Sequence, residues 1–171
     1  MHGIKISLLE KQAAYLGYTL EIIYISKNSS YEEYESQMRT FLEKQIKNNI
    51  NTAAFGDIFL EDLKKYREDK LRQVKMTALF PLRGQSTNQL VHKFARNGFK
   101  AIITCVDTEK VDASFSGRSL DNDFTRDLPQ EVDPCGENGE FHSFVYDGLI
   151  FKQAINFTKG KTVLRDNRFS F

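Results

Sequence analysis

The chain has 171 residues, which is enough for one domain or two small ones. Apolar residues make up 40% and 14 residues are phenylalanine, so a core can form, while the net charge of +1 excludes strong electrostatic steering toward nucleic acid or an acidic partner. Two cysteines are too few for a disulfide framework. The sequence also contains neither a membrane-length apolar run nor a signal-peptide pattern. Together these features predict a cytoplasmic protein.

The first half of the chain alternates helical and strand patterns, as expected for a parallel α/β sheet. Apolar side chains at helical spacing predict the helices, and short β-branched or aromatic runs predict the strands. The predicted order is helix Ile4–Leu16, strand Thr19–Ile25, helix Tyr31–Lys47, strand Thr52–Ile58, helix Leu60–Leu71 and strand Met76–Leu82. Gly56 and Asp57 lie near a strand end, where open α/β sheets bind ligands. Alternatively, Asp57 caps the following helix.

A polar junction after Leu82 predicts a boundary between two domains, residues 1–82 and residues 83–171. The second half mixes helices and strands less regularly and favours a smaller α+β domain. Its predicted elements are helix Thr87–Asn97, strand Lys100–Val106, short helical or irregular pieces Val111–Phe115 and Leu120–Leu128, and strands Phe144–Phe151, Thr162–Leu164 and Arg168–Phe171. Arg118, between the short pieces, has a side-chain fork that suits phosphate or carboxylate. It is alternatively a surface ion-pair residue.

The stretch Asp133–Asp147 (DPCGENGEFHSFVYD) is the densest cluster of polar functional groups in the chain. Glycines allow a backbone to turn sharply and to approach a ligand closely, and acids and imidazole can take or pass a proton. The candidate catalytic residues are Glu137, Asn138, Glu140 and His142, with Gly136 and Gly139 between them. The alternative is a solvated turn whose carboxylates point at water.

A metal site is the other interpretation of the same stretch. Cys135, Glu137, Glu140 and His142 are all residue types that bind transition metals. Their spacing matches no standard structural zinc pattern, and no second Cys/His pair supports them. We therefore predict no metal ligation here.

The segment GENGEFHSFVYDG at Gly136–Gly148 resembles the signature of the diphthine–ammonia ligase family, which are PP-loop ATP pyrophosphatases with an adenine nucleotide α-hydrolase-like fold. The resemblance covers essentially the whole chain. Its other parts are Met1-His2-Gly3-Ile4 with Leu8-Leu9 and Gln12-Ala13, Phe55-Gly56-Asp57-Ile58, Phe80-Pro81-Leu82, Gly98-Phe99-Lys100-Ala101-Ile102 and Gly117-Arg118. Arg83 stands where the family has a tryptophan after its Pro-Leu pair.

The resemblance implies an ATP-dependent amide-forming reaction. ATP, with Mg²⁺, would activate a carboxylate as an acyl-adenylate, and ammonia would displace AMP. The substrate would be a modified histidine of an elongation factor, which carries the carboxylate, or a small carboxylate molecule. A homo-oligomer is compatible with this interpretation. The matching positions imply cofactor binding by His2, Gly3, Gly56 and Asp57, and substrate binding by Gly136, Gly139 and Arg118.

One departure from the family bears on activity. The family begins with a Ser-Gly-Gly-Lys-Asp-Ser loop that grips the ATP phosphates, and this sequence contains no such loop. The resemblance therefore implies an N-terminally truncated Rossmann-like domain followed by the α+β domain. A late start codon, a gene-model error and a real truncation would give the same sequence. Because the phosphate-binding loop is absent, we expect this chain alone to be inactive with ATP. Two alternatives are a non-catalytic nucleotide- or substrate-binding module and one half of a split enzyme.

The family's sheet order is three-two-one-four-five, which places two strands between strand three and strand four. In this chain, Thr19–Ile25 would be strand three and Thr52–Ile58 strand four. Such a gap would leave backbone groups unpaired. We therefore expect Thr19–Ile25 either to close against Thr52–Ile58, or to leave a gap that is open or filled by another chain.

Overall fold

A computed structural model of the chain describes residues 4–26 and 28–171. His2 and Gly3, expected from the resemblance to bind the cofactor, lie outside the described residues. The described part is a mixed α/β structure, which confirms the predicted class. Its elements are α1 (Ile6–Leu16), α2 (Tyr31–Lys47), β1 (Thr52–Ala54), α3 (Glu61–Gln73), β2 (Thr77–Leu79), α4 (Thr87–Arg96), β3 (Lys100–Asp107), a 3-10 turn (Ala113–Phe115), α5 (Asn122–Asp127), β4 (Phe141–Asp147), β5 (Leu164–Arg165) and β6 (Phe169–Ser170).

The chain packs as two compact units. The small unit is Glu21–Gly84, and the large unit combines Met1–Leu20 with Gln85–Phe171. Packing thus groups α1 with the second half of the chain, because Leu8 and Leu9 lie against Ile102 and Phe144. The sequence division at residues 1–82 and 83–171 differs from this grouping in its first helix, and it stays a prediction.

The small unit contains one parallel strand pair joined by a helical crossover. β1 and β2 pair from Thr52 with Thr77 to Ala54 with Leu79, and α3 connects them. The unit's other helix, α2, begins with a capping box in which the Ser30 hydroxyl accepts from the Glu33 N–H and Glu33 accepts from the Ser30 N–H. The parallel pairing expected from the alternating pattern is present.

The strand predicted at Thr19–Ile25 is wrong. Residues 19–25 form no regular strand, and within the described residues β1 pairs only with β2. Ile22, Tyr24 and Ile25 are exposed. A β-branched sequence favours a strand only when a neighbouring strand supplies hydrogen-bond partners and an apolar face to cover it, and this segment has neither among the described residues.

The large unit contains an antiparallel sheet in the order β4-β3-β6-β5. One side of its central strands faces a cluster around Ile103, Val106 and Phe124, and another cluster forms around Ile102, Phe144 and Ile155. These two clusters therefore bury the middle of the sheet, and the ends of the strands lie at its edge. The sequence predicts an α+β arrangement for the second half, but the unit that contains it is the larger of the two and not the smaller.

β4, in the large unit, differs from the sequence prediction at both of its ends. β4 begins at Phe141 and ends at Asp147, whereas the predicted strand covers Phe144–Phe151. It begins early because Phe141 is 3% exposed and pairs with Val106 of β3. As a result, His142 lies inside β4, the edge strand that pairs with β3.

Candidate functional site

The polar stretch of the sequence forms a compact turn, Asp133–Glu140, that leads into β4. Asp133 organises it: its Oδ2 accepts hydrogen bonds from the backbone N–H of Cys135 at 3.2 Å and of Glu137 at 2.9 Å. The Asp133 N–H in turn donates to Glu140 Oε1 at 3.2 Å. The sequence analysis missed Asp133 as a site residue. An aspartate shortly before a glycine-rich turn is the available signal, because its short side chain can bond to the backbone N–H two residues on.

Gly136 lets this turn lie directly on the start of β4. Its φ is +69°, in the left-handed region that side chains other than glycine rarely adopt. A Cβ at this position would lie 2.8 Å from the Phe141 carbonyl oxygen and 3.1 Å from its ring. Gly139 also has a positive φ, +76°, but a Cβ there would meet nothing within 4 Å. Gly136 thus allows close packing as well as the turn, whereas Gly139 allows only the turn.

Glu140 is a buried carboxylate at the end of the turn. The residue is 3% exposed, and its Oε1 accepts from Asn138 Nδ2 at 3.0 Å and from the Asp133 N–H. Its Oε2 is buried and has no hydrogen-bond partner among the described residues. Burial acts to raise the pKa of Glu140, but the hydrogen bonds from Asn138 and the backbone outweigh it and hold the pKa below its usual range. Glu140 is therefore ionised at neutral pH, with one oxygen still able to accept.

His142 follows in β4, opposite Cys105 of β3. Its half-buried side chain borders a cavity of about 250 Å³ and a second of about 500 Å³. Glu140 precedes the first residue of β4, so the two side chains are not placed on one face by strand alternation. Both nevertheless belong to the same turn-and-strand junction.

The smaller cavity, which we call the junction cavity, lies where β3, the turn and β6 meet. Its walls are Cys105, Asp107, Lys110, Asn138, Gly139, His142, Arg168 and Phe169. Two predicted catalytic residues, Asn138 and His142, thus share one cavity. The volume, about 250 Å³, is small for a ligand pocket, since such pockets run from about 300 to 1,000 Å³.

Asp107 and Arg168 form an ion pair in the wall of this cavity. Asp107 is 2% exposed, and it accepts from Arg168 Nε at 3.0 Å and from Nη2 at 2.7 Å. The fork-to-fork geometry is the strongest form of carboxylate–guanidinium contact. Hydrogen bonds from Arg168 outweigh burial and hold the pKa of Asp107 below its usual range. The sequence analysis missed both residues, because they are 61 positions apart and only the fold brings them together.

Two other predicted residues of the large unit, Glu137 and Arg118, do not border the junction cavity. The Glu137 N–H bonds to Asp133, and its side chain is partly buried. Arg118 donates to Asp127 at 2.7 Å and lies over the Phe115 ring, 4.7 Å from its centre. This is the ion-pair alternative of the sequence analysis. The proposed role of Arg118 in substrate binding stays a prediction.

The predicted nucleotide-binding residues of the small unit are partly engaged. Asp57 accepts from Arg67 Nη2 at 3.2 Å, and Arg67 Nε lies 2.5 Å from its other oxygen without hydrogen-bond geometry. Asp57 does not cap α3, whose N-cap is Leu60 with no side-chain cap. Gly56 has open space around it, since a Cβ would meet nothing within 4 Å. Cofactor binding by Gly56 and Asp57 stays a prediction.

Cys135 is inert in its resting state. Burial, together with the nearby carboxylates of Asp133 and Glu137, raises the pKa of its thiol to about 12. A protonated thiol is neither a good metal ligand nor a nucleophile. Within residues 4–26 and 28–171, no group of three or more His, Cys, Asp or Glu side chains is arranged to hold a metal ion.

Comparison with known proteins finds a similarity in the second half of the chain. Residues 86–168 match the family model described as the diphthamide synthase C-terminal domain. The match includes the turn, β4 and every residue of the junction cavity except Phe169. The search of curated proteins found no match for this chain. None of the described helices is both long and apolar enough to cross a membrane.

Proposed function

Because residues 86–168 belong to the diphthamide synthase C-terminal domain family, we propose that this chain performs the amide-forming half of an ATP-dependent carboxylate–ammonia ligase reaction. In this reaction an activated carboxylate, held as an acyl-adenylate, is attacked by ammonia and AMP leaves. The acyl group would come from a modified histidine of an elongation factor or from a small carboxylate. The reaction class rests on the family and on the sequence resemblance.

The observation that supports this proposal is the state of Glu140. A carboxylate that is buried, ionised and short of one hydrogen-bond partner attracts a small cation or a proton donor. Ammonium and ammonia are such donors. Asn138 holds the other oxygen, so that the orientation of the carboxylate is fixed before a ligand arrives.

The proposed step assigns roles to four side chains. Glu140 positions the amine through hydrogen bonds to its N–H groups, and Asn138 orients Glu140. As the C–N bond forms and the C–O bond to AMP breaks, the nitrogen loses a proton, which passes to Glu140 or to His142. The products are the amide, AMP and the protonated base. Glu137, at the outer part of the turn, contributes negative charge that favours ammonium.

The residues of this chain do not fit the triphosphate of ATP. Phosphate cradles combine a glycine-rich loop with converging backbone N–H groups at a helix N-terminus. The sequence contains no Ser-Gly-Gly-Lys-Asp-Ser loop, and Asp57 is already paired with Arg67. The residues of this chain therefore support no step that involves ATP or its Mg²⁺.

The proposal is tested by supplying the activated acyl group ready-made. Acetyl-adenylate and ¹⁵N-ammonium are mixed with the purified chain, and ¹⁵N-acetamide is measured by mass spectrometry against hydrolysis to acetate. We expect the chain to raise the ratio of amide to acetate above that of buffer. An unchanged ratio would contradict the proposal without any assumption about ATP binding.

A second candidate is one half of a split enzyme, and the small unit favours it. Parallel sheets normally have both faces covered and several strands, whereas β1 and β2 pair only with each other among the described residues. Exposed Ile22 and Tyr24 add apolar surface to that unit. Mixing the chain with a polypeptide that carries a PP-loop should then produce ATP-dependent AMP release that neither has alone. Binding of ATP in titration calorimetry without pyrophosphate release would instead indicate a nucleotide-binding module.

A further inference from the structure

We infer that the junction cavity is a carboxylate-binding subsite, in which Lys110 and Arg168 bind the carboxylate that becomes the amide. Neither residue was among the candidates from the sequence. The inference rests on the proposed function for the fate of the carboxylate, but not for its binding. The ligand class is a small aliphatic carboxylate or the carboxylate end of a larger substrate.

The charge of the cavity walls supports carboxylate binding. The cavity walls contain two permanent cations, Lys110 and Arg168, and one carboxylate, Asp107. Glu109 lies 3.3 Å from Arg168 Nε, but it is 65% exposed and its charge is screened by water. The walls therefore hold one net positive charge, which a bound carboxylate would neutralise.

Available donors are the second argument. Asp107 engages Nε and Nη2 of Arg168, which leaves Nη1 for a ligand. Lys110 Nζ donates one hydrogen bond, to the Asn138 carbonyl at 2.8 Å, and has two further protons. Both cations are thus held in place by the protein, while each keeps a donor for an anion.

Preorganisation is the third argument. The Arg168 backbone carbonyl accepts from the Thr108 N–H at 2.8 Å and from its hydroxyl at 2.7 Å. The side chain is then fixed by the buried Asp107. Holding a guanidinium in this way lowers the conformational entropy that binding would otherwise cost. Lys110, through Asn138, is tied to the same turn that holds Glu140.

Position connects this subsite to the proposed chemistry. The cavity is also bordered by Asn138 and His142, and Asn138 is the residue that orients Glu140. A carboxylate held by Lys110 and Arg168 would therefore lie beside the groups proposed to handle the amine. The volume of about 250 Å³ admits a short acyl chain with its carboxylate.

The test uses the full chain and three probes: butyrate, its neutral isostere butyramide, and inorganic phosphate. Binding is followed by the backbone amide resonances of Asn138, Gly139 and His142 in ¹H–¹⁵N spectra. We expect butyrate to shift these resonances, and butyramide and phosphate to shift them much less. Lys110→Met should weaken butyrate binding about tenfold, as expected for one charge-assisted hydrogen bond.

Lys159→Met is the matched control, because Lys159 Nζ also donates to a backbone carbonyl, that of Gly117 at 2.6 Å, but does not border the junction cavity. Its butyrate affinity should stay within about twofold of the wild type. Unchanged dispersion of the spectra shows that each variant is folded.

Three results would overturn the inference: no shift with butyrate, equal affinity in Lys110→Met, or tighter binding of phosphate than of butyrate. If butyrate binds as expected but the acetyl-adenylate assay yields no amide, the proposed function fails and the subsite stands. If amide forms without butyrate binding here, the subsite fails and the proposed function stands.

Discussion

Gly136 illustrates how much of the site depends on single residues. Gly136→Ala places a Cβ against the Phe141 carbonyl at 2.8 Å in a left-handed conformation, whereas Gly139→Ala meets only the conformational penalty. We expect Gly139→Ala to lower the free energy of unfolding by about 1–2 kcal/mol. Gly136→Ala should cost at least about 1–3 kcal/mol more, as overpacking does. Urea unfolding curves measure both, and equal losses would contradict the close packing of the turn on β4.

Cys135 gives a second prediction at the residue scale. Because burial and the carboxylates of Asp133 and Glu137 raise the pKa of its thiol to about 12, almost no thiolate is present at pH 8. We expect iodoacetamide to alkylate Cys135 far more slowly in the folded protein than in urea-unfolded protein, where the thiol has its ordinary pKa near 8.5. Peptide mass spectrometry reads the modification. Equally rapid labelling in both states would show that the thiol is exposed.

At the scale of elements, the contact of Asp107 with Arg168 joins the end of β3 to the start of β6. Hydrogen bonds from Arg168 outweigh burial and depress the pKa of Asp107 in the folded state. A depressed carboxyl stabilises the fold above its unfolded pKa of about 3.9, and this stabilisation is lost as pH falls through the lower, folded value. We therefore expect stability to fall between about pH 5 and pH 2.

Asp107→Asn tests that prediction. The variant should be less stable than wild type at pH 7, and its urea midpoint should fall less from pH 7 to pH 3, because the titrating group is gone. The exposed Glu131→Gln variant is the control and should keep the wild-type pH dependence. The same pH dependence in Asp107→Asn as in wild type would exclude Asp107 as a contributor.

The segment of residues 19–25 gives the second prediction at this scale. It lies outside the two sheets, whereas Ile102–Val106 forms the centre of the four-stranded sheet. We expect the amides of Ile22, Tyr24 and Ile25 to exchange with deuterium at nearly unprotected rates, while those in β3 exchange most slowly. Strong protection of Ile22 and Ile25 would show that they pair as a strand after all.

The same elements show how far sequence reasoning reaches. The bounds of α2 were predicted because its start is local: Ser30 and Glu33 cap each other three positions apart. The turn at Asp133–Glu140 was also located, since glycines and polar residues cluster there. The Asp107 and Arg168 pair was missed because its partners meet only after folding, and Thr19–Ile25 failed because strand propensity does not say whether a neighbouring strand exists.

At the scale of the whole molecule, the two units contain different candidate functional residues. The large unit holds the family match, Glu140 and the junction cavity. The small unit holds the parallel pair and Asp57, which is engaged by Arg67. Because the sequence has no PP-loop, we expect the purified chain to release no AMP from ATP, as measured by chromatography. Robust ATP-dependent AMP release would contradict this expectation.

The proposed action of Glu140 on the amine is measured by ammonolysis of acetyl-adenylate in the Glu140→Gln variant. Gln has nearly the same size but cannot take a proton, so we expect the variant to lose most of the acceleration, about 100-fold for a group in general base catalysis. Glu131→Gln, an exposed change in the same unit, should retain wild-type rates. A Glu140→Gln variant that forms ¹⁵N-acetamide as fast as the wild type would contradict the account.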